Sequence, residues 1–366
     1  MEMERFPTCV LCGQTGRVRY ADLADRLWGV PGLFQLRECL RCRLLWLDPR
    51  PRPEHISACY RDYYTHDVPV AYDEPARPFA GLRDRLREAI LCGYFGYRIL
   101  HTKHGLCRIG GLLGHIPLLR YRAVYSDFGD RFPAWTDRRD NLLVDVGCGR
   151  GDFLARMKSL GWNVLGIEPD PVAAALAERR GIPVFCGSLS EAALPDSVAD
   201  QVLMHHVLEH TPDPWTMIDE SFRILRPGGR LLIVTPNNES LGHRFFKENW
   251  RGLEPPRHLF VHSGSSMKNI LEKSLFERFQ VTTRANLARG MFDYGMSIRK
   301  GGSTAARDAS PQTGRALFGI LESLLCSLGQ PAGEEIVAVA HRDAGPSPMH
   351  GNPESACPSF SSFFMT

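Results

Sequence analysis

The sequence lacks the features of a membrane-spanning, secreted or nucleic-acid-coating protein. No window reaches the roughly 18–20 apolar residues that a membrane-spanning helix needs. The first nine residues, MEMERFPTC, include acids and no apolar core, which argues against a secretory signal. Lysine and arginine number 44 against 41 acidic residues, a balance untypical of proteins that coat nucleic acid. We therefore expect a cytoplasmic protein with no nucleic-acid partner and no transmembrane segment.

The sequence also lacks the regular cysteine pattern of a disulfide-rich fold. Its eleven cysteines are an odd number, and seven of them are scattered singly, which fits a reducing compartment better than a disulfide framework. There is no internal repeat. With 43% hydrophobic and 23% charged residues, the composition excludes a wholly disordered, collagen-like or coiled-coil chain. A length of 366 residues suggests two domains, or one large domain with appendages.

Two cysteine pairs near the start of the chain have the spacing of a zinc site. Cys9 and Cys12 form one C-x-x-C pair, and Cys39 and Cys42 form a second after 26 intervening residues. Each pair offers two thiolates from one tight turn, and together they can close tetrahedrally around Zn²⁺. Four thiolates leave no position for water, so we expect a structural metal that stabilises a domain too short to bury its own core. We assign residues 1–66 to this zinc ribbon and an aromatic helix.

Residues 139–343 have the pattern of an α/β domain. From Asn141 onward, short β-branched runs alternate with helical segments, several of which are closed by glycine. This alternation predicts right-handed crossovers and a parallel sheet covered on both faces. Two late runs, residues 279–287 and 334–342, could supply further strands.

The segments on either side of this domain have different compositions. Residues 67–138 have helical spacing, and their part 76–131 contains ten basic residues against four acids. We expect a helical linker or lid whose basic face is solvated, and leave open a dimer contact or docking on an anionic surface such as lipid headgroups or a nucleotide-linked sugar. Residues 344–366 are rich in proline, serine and glycine and are expected to form a loose tail.

A glycine loop follows the first strand of the α/β domain. Asp145 precedes Gly147, Gly149 and Gly151, and a helical pattern begins directly after them. Glycines let the backbone take positive φ and approach a ligand closely, and the helix N-terminus directs amide donors into the same crevice. Glu168 ends the next strand, where a carboxylate can accept both hydroxyls of a ribose. The spacing G-x-G-x-G behind an acid differs from the dinucleotide pattern and would repel a pyrophosphate while attracting an ammonium group.

The pattern D-x-G-x-G-x-G resembles motif I of the class I S-adenosylmethionine-dependent methyltransferases. The resemblance extends over residues 141–290 through the segments IEPD, HHVLEHTPDP and LRPGGRLLIVTPN. It implies a Rossmann-like seven-stranded sheet and S-adenosylmethionine as methyl donor. By this resemblance Asp145, Gly147 and Gly149 would face the methionine part of the cofactor, and Glu168 would bind the ribose.

The same resemblance implies further cofactor contacts. The Gly187–Leu189 turn would meet the adenine edge, where many family members have an acid and this chain has Ser188. His205, at the end of the fourth strand, would contribute backbone contacts. Cys148, inside the glycine loop, is interpreted as a small filler beside the cofactor.

Histidines after the fourth strand are the candidates for proton transfer. Methyl transfer is an in-line displacement in which the protein positions the acceptor and removes its proton, and histidine titrates near neutrality. Glu209 and His210 match an acid–histidine pair that serves as bases in sugar C-methyltransferases. Ubiquinone-pathway O-methyltransferases have E-x-x-E-H here and bind a divalent metal. Because His206 replaces the first acid, the metal is left open, as is a helix-capping role for His210.

The segment Trp250–Leu259 is the candidate acceptor site. It resembles the W-x-G-L-x-x-P-R-H-L stretch of zinc-ribbon methyltransferases from polysaccharide gene clusters. Arg257 has a planar guanidinium suited to phosphate or carboxylate, His258 is a second candidate base, and Trp250 would line the site. The alternative is that Arg257 pairs with a structural acid and His258 packs.

The ribbon itself resembles the four-cysteine domain of sugar C-methyltransferases. In those enzymes the small domain helps to cover the substrate, and one of its tyrosines can reach the site; Tyr64 is our candidate, with Tyr60 and Tyr63 nearby. The resemblance implies methylation at O or C of a saccharide, a nucleotide-linked sugar or a related small metabolite. Two alternatives stay open, namely an RNA-base methyltransferase and a catalytically silent adenosyl-binding scaffold.

Overall fold

The computed structural model describes residues 1–60, 82–97, 104–116, 119, 140–301 and 312–343. The tail 344–366 and much of the linker lie outside these described residues, and so do Tyr63 and Tyr64. None of the described helices combines the length and apolar character that crossing a membrane requires.

The strands of the N-terminal segment belong to two small antiparallel sheets. Its elements are β1 (Met3–Glu4), β2 (Arg17–Leu23), β3 (Phe34–Glu38), β4 (Leu45–Leu47), β5 (Arg50–Pro51) and a 3-10 helix (Pro53–Tyr60). β3 pairs with β2 and β4, and β1 pairs with β5. Only Tyr60 of the predicted aromatic helix is described, at the end of the 3-10 helix.

Two helices from the basic segment form a tight hairpin. They are α1 (Leu82–Gly93) and α2 (His104–Leu113). Cys92 and Cys107 form a disulfide across the hairpin, so the expectation that the single cysteines stay reduced is wrong for this pair. Helix pairing brings the two thiols together although they are 15 residues apart in the sequence, and cysteine spacing alone does not reveal this.

The remaining elements form the α/β domain. In chain order they are β6 (Leu142–Val146), α3 (Asp152–Ser159), β7 (Asn163–Glu168), α4 (Pro171–Arg179), β8 (Val184–Cys186), β9 (Ala199–His205), α5 (Pro214–Ile224), β10 (Leu225–Pro236), α6 (Leu241–Phe246), β11 (Phe260–Val261), α7 (Gly264–Glu272), β12 (Arg278–Arg284), α8 (Ala288–Arg299), α9 (Gln312–Ser327) and β13 (Glu335–His341). Short 3-10 helices span Leu208–His210, Lys247–Asn249 and Arg251–Leu253.

Seven strands form one sheet in the order β12-β13-β10-β9-β6-β7-β8. This confirms the α/β fold class and both late strands. β8, β7, β6, β9 and β10 are parallel, but β13 runs antiparallel to β10 and β12, so the expectation of a wholly parallel sheet is wrong at this edge. The reversal has a consequence for the site, because it places the start of β13 beside the carboxyl ends of the parallel strands.

The ribbon shares its sheet and its core with the α/β domain. β11, which belongs to the later part of the chain, pairs antiparallel with β4 and adds a fourth strand to the sheet of β2, β3 and β4. Trp46 of β4 is fully buried and packs over Gly16, where an added Cβ would lie 2.1 Å from the indole. The two parts therefore fold around one continuous apolar cluster.

Candidate cofactor and acceptor site

The loop after β6 requires its glycines for two different reasons. Gly147, Gly149 and Gly151 have φ of +69°, +54° and +73°, a region that side chains with a Cβ rarely adopt. At Gly147 a Cβ would also lie 2.5 Å from Cγ2 of Val207. At Gly149 no atom lies within 4 Å of the Cβ position, so there the requirement is conformational.

Glu168 holds this loop from the neighbouring strand. Its Oε2 accepts the backbone N–H of Gly149 at 2.7 Å, and its Oε1 accepts that of Asp170 at 2.9 Å. Burial raises the pKa of Glu168, and the two N–H groups oppose that rise. Each carboxylate oxygen keeps a second lone pair that a ribose hydroxyl can use. The structure thus brings Gly149 and Glu168 together, as the predicted cofactor site needs.

An acid that the sequence reading missed stands in the turn after β8. The backbone N–H and the hydroxyl of Ser188 donate to Oε2 of Glu191 at 2.7 and 2.6 Å, and the Glu191 N–H returns a bond to the hydroxyl. These reciprocal bonds have the S-x-x-E pattern of a capping box, here in a turn, and the spacing could have revealed them. Leu189 is buried beside it.

Cys148 fills space beside the loop. Its Sγ would lie 2.4 Å from a Cβ placed on Gly166 of β7, so the sulfur packs directly on that strand. Burial raises the pKa of the thiol, which keeps it neutral. Both observations fit the interpretation of Cys148 as a filler.

An imidazole held between two carboxylates follows β9. His206 has its Nδ1 3.1 Å from Oε1 of Glu209 and its Nε2 2.9 Å from Oε1 of Glu335, which begins β13. Burial favours a lower pKa for His206, but the two carboxylates outweigh it and raise the pKa to about 10. His206 is therefore a charged imidazolium at neutral pH. His205 ends β9 and meets the His206 ring edge-on at 4.6 Å.

Glu209 is committed to contacts within the protein. It is fully buried, and its Oε2 accepts the hydroxyl of Thr235 at 3.0 Å while Oε1 faces His206. Burial would raise the pKa of Glu209, but the hydrogen bond from His206 and the nearby histidine charges outweigh it and lower the pKa well below its usual range. Such a carboxylate is a weak base, so the geometry fits an orienting role better than the predicted base.

His210 contacts one residue of the ribbon and one residue of the α/β domain. Its Nδ1 lies 2.8 Å from the hydroxyl of Tyr60 and 3.1 Å from the carbonyl oxygen of Arg257. A carbonyl can only accept a hydrogen bond, so the contact with Arg257 favours the tautomer with the proton on Nδ1. In that tautomer the Tyr60 oxygen also accepts from Nδ1, and Nε2 carries the lone pair. Burial raises the pKa of Tyr60 far above its usual value, so the phenol stays protonated. Tyr60 is thus the ribbon tyrosine that the described structure places in the site.

His258 packs against His210, with ring centroids 4.7 Å apart. Its Nδ1 donates to the carbonyl of Gly252 at 2.8 Å. Burial lowers the pKa of His258 to about 4, which makes it a neutral imidazole at neutral pH. This weak basicity places His258 second to His210 as a candidate base.

Arg257 joins the ribbon to the α/β domain instead of facing an acceptor. Its guanidinium is fully buried and makes a bidentate pair with Asp25 at 2.8 and 2.9 Å, with Nε 3.0 Å from Glu254. Asp25 also accepts three backbone N–H groups of its own loop. The prediction that Arg257 binds phosphate or carboxylate of an acceptor does not match this geometry, because both acids already occupy the fork.

Trp250 likewise faces the protein interior. It is 2% exposed, and its indole N–H donates to Oε2 of Glu334 at 2.7 Å. Its ring lies 4.8 Å from that of His243. The ring of Trp250 packs against Gly252 of the same loop. The structure therefore shows packing at Trp250 in place of the predicted acceptor contact.

The four cysteines form two knuckles with matching backbones. The first cysteine of each pair, Cys9 or Cys39, receives a hydrogen bond at its carbonyl from the residue four positions on, Gly13 or Arg43. Both of those residues have positive φ, +68° and +63°. The conformation is usual for glycine, as at Gly13, but in the second knuckle Arg43 adopts it.

The four sulfur atoms fit a tetrahedral ion. All four lie within 4.8 Å of one another, with Cys9 to Cys42 at 3.5 Å and Cys12 to Cys39 at 3.2 Å. Zinc–sulfur bonds of about 2.3 Å place tetrahedral sulfurs about 3.8 Å apart. The donor set is therefore compatible with a structural Zn²⁺ ribbon.

Two more groups of possible ligands occur in the described part of the chain. They are His205, His206 and Glu335, and Glu209, His210 and His258. His206 bridges the two groups through its contacts with Glu209 and Glu335. His206 contacts one oxygen of each carboxylate, Oε1 of Glu209 and Oε1 of Glu335, so a cation bound between His206 and either carboxylate would have to replace one of the imidazolium protons.

Comparison with known proteins finds a family match over the part of the chain that contains the glycine loop and Glu168. Residues 118–280 match the family model described as a methyltransferase domain. The match spans somewhat less than half of the chain. A probable S-adenosylmethionine-dependent methyltransferase from Mycolicibacterium smegmatis is 34% identical over 120 residues, covering 32% of this chain and 44% of that protein.

A second relative of this methyltransferase domain is a ubiquinone biosynthesis O-methyltransferase from Pseudomonas fluorescens. It is 32% identical over 122 residues, covering 30% of this chain and 53% of that protein. The chain spans about half the length of the curated relatives that it matches. Among solved structures, a methyltransferase from Thermotoga maritima described as a possible histamine N-methyltransferase is 19% identical, with a TM-score of 0.41 over 63% of this chain and 97% of that one. That similarity is too low to carry an argument.

Proposed function

We propose that this protein transfers a methyl group from S-adenosylmethionine to oxygen or carbon of a saccharide or a related small metabolite. The observation that carries the proposal is the position of His210, which follows β9 and is held by Tyr60 of the ribbon. β9 lies directly beside β6 in the sheet, and Val207, three residues before His210, packs against Gly147 of the glycine loop. These contacts support a position of His210 near the proposed cofactor crevice.

The cofactor would occupy the crevice at the carboxyl ends of β6 and β7. Gly147 and Gly149 leave room for the methionine part, Asp145 offers a carboxylate for its ammonium group, and Glu168 accepts the ribose hydroxyls. Bound S-adenosylmethionine would supply an electrophilic methyl group on its sulfonium. The family match of residues 118–280 supports this donor.

His210 would take the proton from the acceptor. Its Nε2 would carry the lone pair in the tautomer that the Arg257 carbonyl favours, with the proton on Nδ1. Tyr60 and that carbonyl fix the ring, and the anionic Glu209 nearby would stabilise the imidazolium that forms. A positioned base of this kind contributes roughly 10²–10⁴-fold in rate.

Two observations support a neutral acceptor group such as a sugar hydroxyl. Arg257 is neutralised by Asp25 and Glu254, and the His206 charge is matched by two carboxylates. A phosphate would find no compensating charge in these two clusters. The resemblance of the four-cysteine ribbon to that of sugar-pathway methyltransferases favours the same acceptor class.

The proposal is tested by cofactor binding and by methyl transfer. Calorimetry should show S-adenosylmethionine binding by the wild type and loss of binding on Glu168→Ala. Radiolabelled methyl should pass to a member of a panel of sugars and nucleotide sugars. We expect His210→Asn to lower turnover at least about 100-fold with unchanged cofactor affinity. The matched change His55→Asn, at a half-buried histidine of the ribbon's 3-10 helix that accepts the N–H of Glu2, should leave turnover unchanged.

Other outcomes would contradict the proposal in distinguishable ways. Absence of cofactor binding would remove its basis. Binding without transfer to any acceptor would favour the adenosyl-binding scaffold. Transfer to bulk RNA, and not to saccharides, would favour the RNA-base methyltransferase. Full activity of His210→Asn would reject the assigned base while leaving the methyl transfer in place.

A further inference from the structure

Helix α2 packs on α1 through its smallest residues. A Cβ on Gly110 would lie 1.8 Å from the carbonyl oxygen of Ala89, and a Cβ on Gly93 would lie 1.8 Å from that of Cys107. The backbones of the two helices are therefore in direct contact. The disulfide between Cys92 and Cys107 closes the same interface.

The opposite side of α2 is built from large apolar residues that contact solvent. Leu106, Ile109, Leu112 and Ile116 are 39%, 53%, 75% and 47% exposed. Their spacing of three or four residues places them on one side of the helix and of the turn that follows it. A helix packed for water has the reverse arrangement, with large apolar residues towards its neighbour and polar residues outward.

Small residues at a helix–helix contact and large apolar residues facing outward are the packing pattern of helices in lipid. α2 contains ten residues, about half of what a bilayer span needs. A helix of this length with one apolar side is suited to lie in the interface between headgroups and acyl chains.

The charges of the hairpin complement an anionic surface. Arg85 on α1 and Arg108 on α2 are exposed, and the sequence 76–131 has ten basic residues against four acids. Basic residues near an apolar helix face increase binding to anionic headgroups.

A second copy of the chain is a less suitable occupant. A helix of ten residues is about 15 Å long, and an interface strip of that length falls well below the roughly 800 Å² per partner of a stable protein complex. The proximity of like-charged hairpins would also oppose self-association.

We propose that the outward face of α2 docks on an anionic lipid surface, with Leu106, Ile109, Leu112 and Ile116 inserted below the headgroups. The hairpin then attaches the methyltransferase domain to a membrane without spanning it. This inference depends on α2 and its surroundings, and not on the assignment of the acceptor.

The test is cosedimentation of the purified full chain with vesicles. Vesicles of phosphatidylcholine alone are compared with vesicles that also contain phosphatidylglycerol. We expect binding to the anionic vesicles, weakened as salt is raised. Leu112→Glu and the uncharged Leu112→Gln should each reduce partitioning, the first at least tenfold. Leu275→Glu, at a single apolar residue that is 63% exposed on a different surface, should bind like the wild type.

Each remaining outcome overturns the inference. It fails if the wild type does not sediment with anionic vesicles, if Leu112→Glu binds as well as the wild type, or if neutral vesicles bind equally well. A concentration-dependent dimer in analytical ultracentrifugation that Leu112→Glu abolishes, without vesicle binding, would identify a second copy as the occupant. Calorimetry of cofactor binding on the same preparations checks that the variants are folded.

Discussion

The buried pair of Asp25 and Arg257 offers the sharpest test of how the ribbon is attached. Asp25→Asn keeps the shape of the side chain and removes its charge. Arg257 would then face Glu254 alone, with two hydrogen bonds of 2.8 and 2.9 Å weakened or lost. Because both partners have fully buried side chains, water cannot replace the missing carboxylate.

The expected cost follows from this burial. Removing one partner of a buried ion pair destabilises a protein by about 3–5 kcal/mol, since the other charge stays uncompensated. The free energy of unfolding of a domain is about 5–15 kcal/mol in total, so Asp25→Asn should remove a large part of it. Arg257→Met replaces the guanidinium by an apolar side chain. It should lower the free energy of unfolding by about as much, because the buried carboxylate of Asp25 then has no cationic partner.

The assay is urea unfolding of the zinc-loaded protein, followed by tryptophan fluorescence. The double variant should be more stable than the sum of the two single losses predicts, because neither charge is then left alone. Arg278→Met serves as the control: Arg278 pairs with Asp343 at 2.6 Å, but the two side chains are 66% and 40% exposed. Breaking this surface pair should cost about 1 kcal/mol or less.

One result would refute the structural role of Arg257. If Asp25→Asn and Arg257→Met cost no more than the control, and Arg257→Met instead raises the KM for the acceptor, then the guanidinium binds substrate. Sequence reasoning alone favoured that role.

Two further predictions concern buried groups. Burial raises the pKa of Glu322 to about 9; a raised carboxyl pKa contributes stability that is present below about pH 4.5 and is lost as pH rises towards 9. Glu322→Gln should therefore raise Tm at pH 8 by several degrees and change it little at pH 5, and an equal change at both would contradict the assignment. Chelation of zinc, or Cys39→Ser, should release about one zinc per chain and lower Tm, since four thiolates hold the ribbon. Cys186→Ser, at an exposed cysteine, is the control, and unchanged Tm after metal loss would reject a structural zinc.

The sequence predicted the α/β domain well because its signals are local. The apolar residues Phe153, Leu154 and Met157 recur at helical spacing in the sequence, and all three are buried on α3. The glycine loop was readable because positive φ selects glycine at Gly147 and Gly149.

What the sequence could not predict depends on contacts between distant segments. Asp25 and Arg257 are 232 positions apart, and nothing in either local pattern indicates the other. Glu335 reaches His206 across 129 positions, and does so only because β13 runs antiparallel. The outward position of the large apolar residues of α2 could not be predicted either. Periodicity shows that a helix has an apolar side but not whether that side is covered.

Backbone hydrogen bonds next to β11 connect the four-cysteine ribbon to the segment that carries His210. The N–H of Leu47 in β4 donates to the carbonyl of Leu259 at 2.9 Å, and the N–H of Leu259 donates to the carbonyl of Glu209 at 2.8 Å. Two backbone steps thus separate the ribbon from the residue preceding His210. If the cysteines hold zinc and His210 acts as the proposed base, metal ligation and alignment of the imidazole would be linked, and loss of the metal would disturb both.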